Sequence, residues 1–155
     1  MAGGRDELKL LGTWASPFSI RVKLALSFKG LSYENVEQED VYYNKSELLL
    51  KSNPLIVQYI DEAFSTDGPS LLPAEPYECA MARFWATYID DKLFASAIQA
   101  SRAKMEEEKA EALKQTFVAV VTLEAAFKEC CKGRPFFGGD SVGYLDSWTS
   151  CLGAS

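Results

Sequence analysis

Apolar and polar positions along the chain fall into two kinds of pattern: short extended runs near the start, then long helical periods from Pro76 onward. Leu8-Lys9-Leu10-Leu11 reads as a short strand. A second strand is expected near Leu31–Glu37, where Ser32-Tyr33-Glu34-Asn35-Val36 alternates weakly, as a strand with one polar face should. Between them, Pro17 to Phe28 is a mostly apolar stretch closed by Gly30, which predicts a helix. Parallel pairing of the two strands through that helix makes a βαβ unit with a right-handed crossover. A short helix over Ser46–Leu50 and another near Leu55–Phe64 follow. The turn-rich Ser65-Thr66-Asp67-Gly68-Pro69-Ser70 then marks a boundary.

Beyond that boundary the pattern is all-α. Pro76 suits the first position of a long helix whose apolar set includes Cys79, Ala82, Trp85, Ile89, Leu93 and Ala97. A second helix, from Glu106 to Cys131, carries Leu113, Phe117, Val120, Val121 and Phe127 on one face, the kind of stripe that turns toward a core. Gly133-Arg134-Pro135 stops it. Gly143 caps a third helix, with Asp146 at N3 answering back to the cap. The last nine residues show no clean period and predict a frayed end.

Candidate chemistry sits at the start of the first helix. Ser16 is an N-cap residue and Pro17 occupies N1, where its missing N–H costs nothing. Such a helix start offers orphan amide donors and a partial positive charge, which favour an anion. A free thiol has a pKa of about 8.5, and these surroundings lower it. A serine hydroxyl donating to a sulfur there helps to hold it as thiolate. Ser-Pro at a helix start is also ordinary capping chemistry, so Ser16 alone carries both readings. Trp14 either lines a pocket here or belongs to the core, and Arg21, one turn into the helix, is expected to pair with an acidic neighbour.

Composition narrows the classes. With 155 residues, 48% hydrophobic and 25% charged, the chain reads as a soluble globular protein of one domain or two small ones. No apolar run approaches a membrane span and no leader-like segment opens the chain, so a cytoplasmic address without a membrane partner is expected. A net charge of −6 and no basic stripe interleaved with aromatics argue against nucleic acid as a partner. Glu106-Glu107-Glu108 is most simply the acidic first turn of a helix. Four cysteines, none in a C-x-x-C pair, and no histidine exclude histidine-based triads and argue against a metal site. Cys130 and Cys131 read as ordinary reduced thiols at a helix end, with redox sensitivity of the adjacent pair as the alternative.

Several separate stretches, in order, resemble the plant tau-class glutathione transferases. They include Trp14-Ala15-Ser16-Pro17-Phe18, Arg21-Val22, Leu26 to Tyr33, Asn44 to Leu50, Ser52-Asn53-Pro54 and Ile56 to Phe64. Leu71-Leu72-Pro73, Ala82-Arg83-Phe84-Trp85 and Phe136-Phe137-Gly138-Gly139-Asp140 continue the likeness, which covers nearly all of Arg5–Asp146. The resemblance implies an α/β, thioredoxin-like N-terminal part followed by an all-α domain. The expected divisions are a glutathione-binding domain over 1–65, a linker over 66–76 and a helical domain over 77–155. It further implies conjugation of glutathione, a co-substrate with no bound cofactor, to small hydrophobic electrophiles in detoxification and stress response, by a protein that is a homodimer in the family. Ser16 takes the role of hydrogen-bonding the glutathione sulfur, and Lys45 that of reaching the glycyl carboxylate, a point-charge task suited to lysine. Trp14 and Phe18 line the pocket; Tyr88, Lys92, Ala95 and Gln99 are candidates for the electrophile site. Members that reduce disulfides or dehydroascorbate carry cysteine where this chain has Ser16, so conjugation outranks thiol transfer.

The chain departs from the family pattern twice. After Asn53-Pro54 the family continues into a strand, a cis-proline, a turn, a second strand and a Glu-Ser pair; here Leu55-Ile56-Val57 follows at once. Such a block needs roughly 15–20 residues at usual lengths. After Gly143-Tyr144-Leu145-Asp146 the family builds several more helices, whereas this chain reads Ser147 to Ser155 and stops, as a shortened or alternatively spliced product would. The expected sheet is therefore incomplete, with an exposed edge, and Leu55–Phe64 is the helix available to cover it. The absent block would have held the cysteinyl and γ-glutamyl parts of glutathione. Losing several charge-assisted bonds, each of about 1.5–3 kcal/mol, weakens binding by orders of magnitude. A weak transferase is thus expected, with a non-catalytic ligand carrier or a heterodimer partner of full-length relatives as the alternative.

Overall fold

In a computed structural model describing residues 8–14, 16–37, 56–131 and 133–149, strands β1 (Leu8–Gly12) and β2 (Tyr33–Glu37) pair in parallel. Leu8 lies opposite Tyr33 and Gly12 opposite Glu37. Helix α1 (Pro17–Phe28) links them, as the apolar run between Ser16 and Gly30 predicts. Its end follows from Gly30, whose φ of 65° is open to glycine at little cost. Leu31 N–H then reaches Leu26 O at 2.9 Å and Gly30 N–H reaches Ser27 O at 3.0 Å, the paired bonds of a Schellman ending. Helix α2 (Ile56–Ala63) packs against α1 and buries Val57 and Ile60. Among the described residues the sheet has two strands, and the short helix expected at 46–50 lies outside them.

The end of α1 is tied down by charge. Lys29, its C-cap, has a side chain with no exposed surface and pairs with Asp61 of α2 at 2.8 Å. Asp61 also accepts the N–H groups of Leu71 at 2.8 Å and Leu72 at 2.9 Å. Burial pushes the Asp61 carboxyl up, but the Lys29 ammonium and the two amides outweigh it and leave the group below the usual carboxylate range. One buried carboxylate therefore joins α1, α2 and the segment at Leu71–Leu72. That segment ends the first of two compact units, which also includes Thr149; the second spans Pro73–Trp148.

The second unit is helical. Helix α3 (Pro76–Tyr88) starts at Glu75, whose carboxylate accepts Glu78 N–H at 2.8 Å, and Pro76 stands at its first position. It runs through a π turn over Ile89–Phe94 into α4 (Ala95–Arg102). The wide turn displaces the buried stripe from a straight helical period. Of the predicted set only Ile89 and Leu93 are buried, with Ala86, Phe94, Ser96 and Ala100, whereas Cys79, Ala82, Trp85 and Ala97 are half-buried.

Helix α5 (Glu106–Cys131) begins and ends where its sequence predicts, but its orientation corrects the expectation. Ala112, Ala119, Leu123 and Ala126 face inward, while Leu113, Phe117, Val120 and Val121 are exposed and Phe127 is half-buried against Phe137. The reason is the partner. Helix α4 brings Ser96 and Ala100 to the contact, and Thr116 Oγ1 donates to Ser96 Oγ at 2.9 Å. Helices that approach through such small groups have no room for Phe or Val between them. Helix α6 (Tyr144–Thr149) is capped by Asp146, which accepts Gly143 N–H at 2.8 Å and also the N–H groups of Phe137 and Gly138.

Candidate functional site

The carboxyl ends of β1 and β2 and the start of α1 meet at one place, the usual position for a ligand in an open α/β sheet. Ser16 is the N-cap there, in extended conformation (φ −80°, ψ 121°). Its Oγ accepts Ser19 N–H at 3.4 Å, and its backbone N–H donates to Thr13 O at 3.2 Å. A hydroxyl has one proton and two lone pairs, so capping uses a lone pair and leaves the proton for a ligand. The capping role and the chemical role read from the sequence are compatible in one side chain.

Close packing sets this geometry. Gly12, the last residue of β1, lies so near Ser19 that a Cβ at Gly12 would collide with Ser19 Oγ and stand 3.0 Å from its Cβ. Glycine is thus what allows the start of α1 to sit directly against the strand end. Phe18 is half-buried, with the Arg21 guanidinium 5.0 Å from its ring centroid. Arg21 itself is buried. Trp14 is 77% exposed, so the core reading of this residue does not hold. Lys45 lies outside the described residues.

Glu37 is the residue that the sequence reading missed. Its Oε1 accepts Trp14 N–H at 2.7 Å and its Oε2 accepts from Asn35 Nδ2 at 3.4 Å. The Trp14 amide, with smaller help from Asn35, Thr13 and Lys23, holds the Glu37 carboxyl below its ordinary range. The available signal was its place at the end of the second strand of a βαβ unit, beside the turn that leads to Ser16.

In the helical unit, Ala95 and Gln99 line a shallow pocket with Ile98, Arg102, Ala103 and Glu108. Tyr88 instead meets Trp85 edge to face at 5.4 Å, and Lys92 is exposed; neither lines that pocket. The thiols of Cys130 and Cys131 are pushed above the ordinary cysteine value, first by burial and then by Glu129 for Cys130 and Asp146 for Cys131. Cys131 is buried and Cys130 exposed. No cluster of metal-ligating side chains occurs among the described residues, and none of their helices is long and apolar enough to cross a membrane.

Residues 6–62 match the family model for the glutathione S-transferase N-terminal domain. Over an alignment of 171 positions the chain is 44% identical to glutathione S-transferase U15 of Arabidopsis thaliana, covering 98% of this chain and 72% of that protein. It is 46% identical to the probable glutathione S-transferase GSTU6 of Oryza sativa subsp. japonica, covering 92% of this chain and 70% of the relative. Its fold superposes on the tau-class glutathione S-transferase of mango, Mangifera indica, with a TM-score of 0.81 and 39% identity, over 94% of this chain and 74% of the other. The chain belongs to the tau-class glutathione S-transferases. A thioredoxin-like part, with a two-stranded sheet among the described residues, followed by helices is the architecture expected from its motifs. The U15 alignment is longer than the 155-residue chain, so that tau-class relative carries residues with no counterpart here. A rice glutathione transferase solved in complex with glutathione also superposes, with a TM-score of 0.76 and 36% identity, covering 93% of this chain and 73% of that one.

Proposed function

We propose that the chain binds glutathione at the start of α1 and conjugates it, weakly, to small hydrophobic electrophiles. The observation that carries this reading is Ser16, which caps α1 through an oxygen lone pair while its proton remains available to a sulfur. The hydroxyl donates to the glutathione sulfur, and the partial charge of the helix start favours the thiolate. The thiol proton leaves to solvent. The sulfur lone pair then forms the C–S bond, and the leaving group departs with its bonding pair. Lys45 is the proposed contact for the glycyl carboxylate, Trp14 and Phe18 for the pocket wall, and Tyr88, Lys92, Ala95 and Gln99 for the electrophile. Detoxification and stress response, in the cytoplasm, are the matching roles.

Ser16→Ala tests the reading. It is expected to lower glutathione-dependent conjugation about a hundredfold, the typical effect of removing one donor to a developing anion. Unchanged activity would remove Ser16 from the chemistry. Millimolar glutathione should also raise the melting temperature of the wild-type chain if the native state binds it.

The exposed apolar face of α5 favours a second reading, association with full-length relatives. Native mass spectrometry of a mixture with such a relative decides it, and the absence of a mixed species would discard it.

A further inference from the structure

The turn from β1 into α1 is not held by burial at Trp14, whose side chain is 77% exposed. What holds it is polar. Thr13 O accepts Ser16 N–H at 3.2 Å, and Trp14 N–H donates to Glu37 Oε1 at 2.7 Å. Glu37 is the register partner of Gly12, so the end of β2 stands directly beside the residue that begins the turn. The groups facing its carboxylate come from three elements: Thr13 and Trp14 from the turn, Asn35 from its own strand and Lys23 from α1. Each of them belongs to the frame that carries Ser16.

We propose that Glu37 is a positioning residue, whose carboxylate locks the turn at Thr13 and Trp14 against the end of β2 and so fixes the backbone that presents the Ser16 hydroxyl. This rests on the reading of Ser16 given above. Its physical sign is distinctive. As a bare negative charge, Glu37 would oppose a thiolate bound near the start of α1, and removing it would lower the thiol pKa. As a latch it keeps the Ser16 donor in place, and removing it raises that pKa.

The experiment uses the full chain as wild type, Glu37→Ala, Glu37→Gln and Ser16→Ala. Thiolate absorbance of bound glutathione is followed against pH, and Trp14 amide exchange is followed by NMR. Glu37→Ala is expected to speed Trp14 exchange about tenfold, since a charge-assisted acceptor is lost. It should also move the thiol titration up by about one pH unit. Glu37→Gln keeps an acceptor and should stay close to wild type in both. A thiol titration that moves down equally in both Glu37 variants, or Trp14 exchange unchanged in Glu37→Ala, overturns the proposal. If Ser16→Ala leaves the titration unmoved, the Ser16 reading fails instead, and the latch then stands or falls on Trp14 exchange alone.

Discussion

Helices α1 and α5 are both apolar along much of their length, yet they solve burial in opposite ways. Helix α1 packs on a strand and on α2 and buries Val22 and Leu26 beside Ala25, with Phe18, Ile20, Leu24 and Phe28 half-buried. Helix α5, packed against α4, buries Ala112, Ala119, Leu123 and Ala126 and leaves Leu113, Phe117, Val120 and Val121 outside. The two stripes on α5 differ by a single position along the helix, about 100° of rotation. Which stripe goes inward depends on the surface opposite, and a close helix contact built from Ser96 and Ala100 selects the smaller one. Hydrophobicity alone does not rank them.

The largest effect expected from breaking this contrast lies at the end of α1. Lys29→Met leaves Asp61 buried without its cation, and loss of one partner in such a pair costs about 3–5 kcal/mol in denaturant unfolding. A loss below about 1 kcal/mol would mean that water reaches the pair. The pH dependence has a defined sign. The folded Asp61 carboxyl lies below its ordinary value of 3.8, so its contribution is complete above that value and is lost as pH falls through the lower, folded one. Lys29→Met removes the cation that lowers this carboxyl and leaves burial to raise it, so its penalty should be greatest near neutral pH and shrink as Asp61 takes up a proton in acid.

Next come two identical substitutions on the two helices. Leu26→Ala, at 4% exposure, should cost about 2–5 kcal/mol. Leu113→Ala, at 51% exposure, should stay within about 0.5 kcal/mol. Equal losses would show that the outer face of α5 is covered in solution. Two further substitutions change the stripes of α5 in opposite directions. Ala119→Leu overfills the contact and should cost about 1–3 kcal/mol. Phe117→Ser should change stability little and reduce concentration-dependent association, measured by light scattering.

Much of the local architecture was legible in the chain. Ser16-Pro17 and Gly30 bound α1, Pro76 starts α3, Gly133 follows the end of α5, and Asp146 answers Gly143 at α6. Of the candidate site, the capping role of Ser16 could be read because an N-cap followed by proline asks for a hydroxyl at that place. Glu37 could not, because its partner Trp14 lies 23 residues away in sequence and nothing in either segment names the other. The π turn over Ile89–Phe94 escaped for a related reason, since its sequence continues a helical pattern without a break.

Sequence by itself determined where helices begin and end, and which residue offers a hydroxyl at a helix start. Those features depend on bonds within a turn or two of the chain, which the local residues either can or cannot make. Only the tertiary structure decided which face of α5 is buried, where the stripe of α3 and α4 shifts, and which carboxylate latches the turn before Ser16. Each of these depends on a surface or group brought close from a distant part of the chain, and the free energy of meeting it is written in neither segment alone.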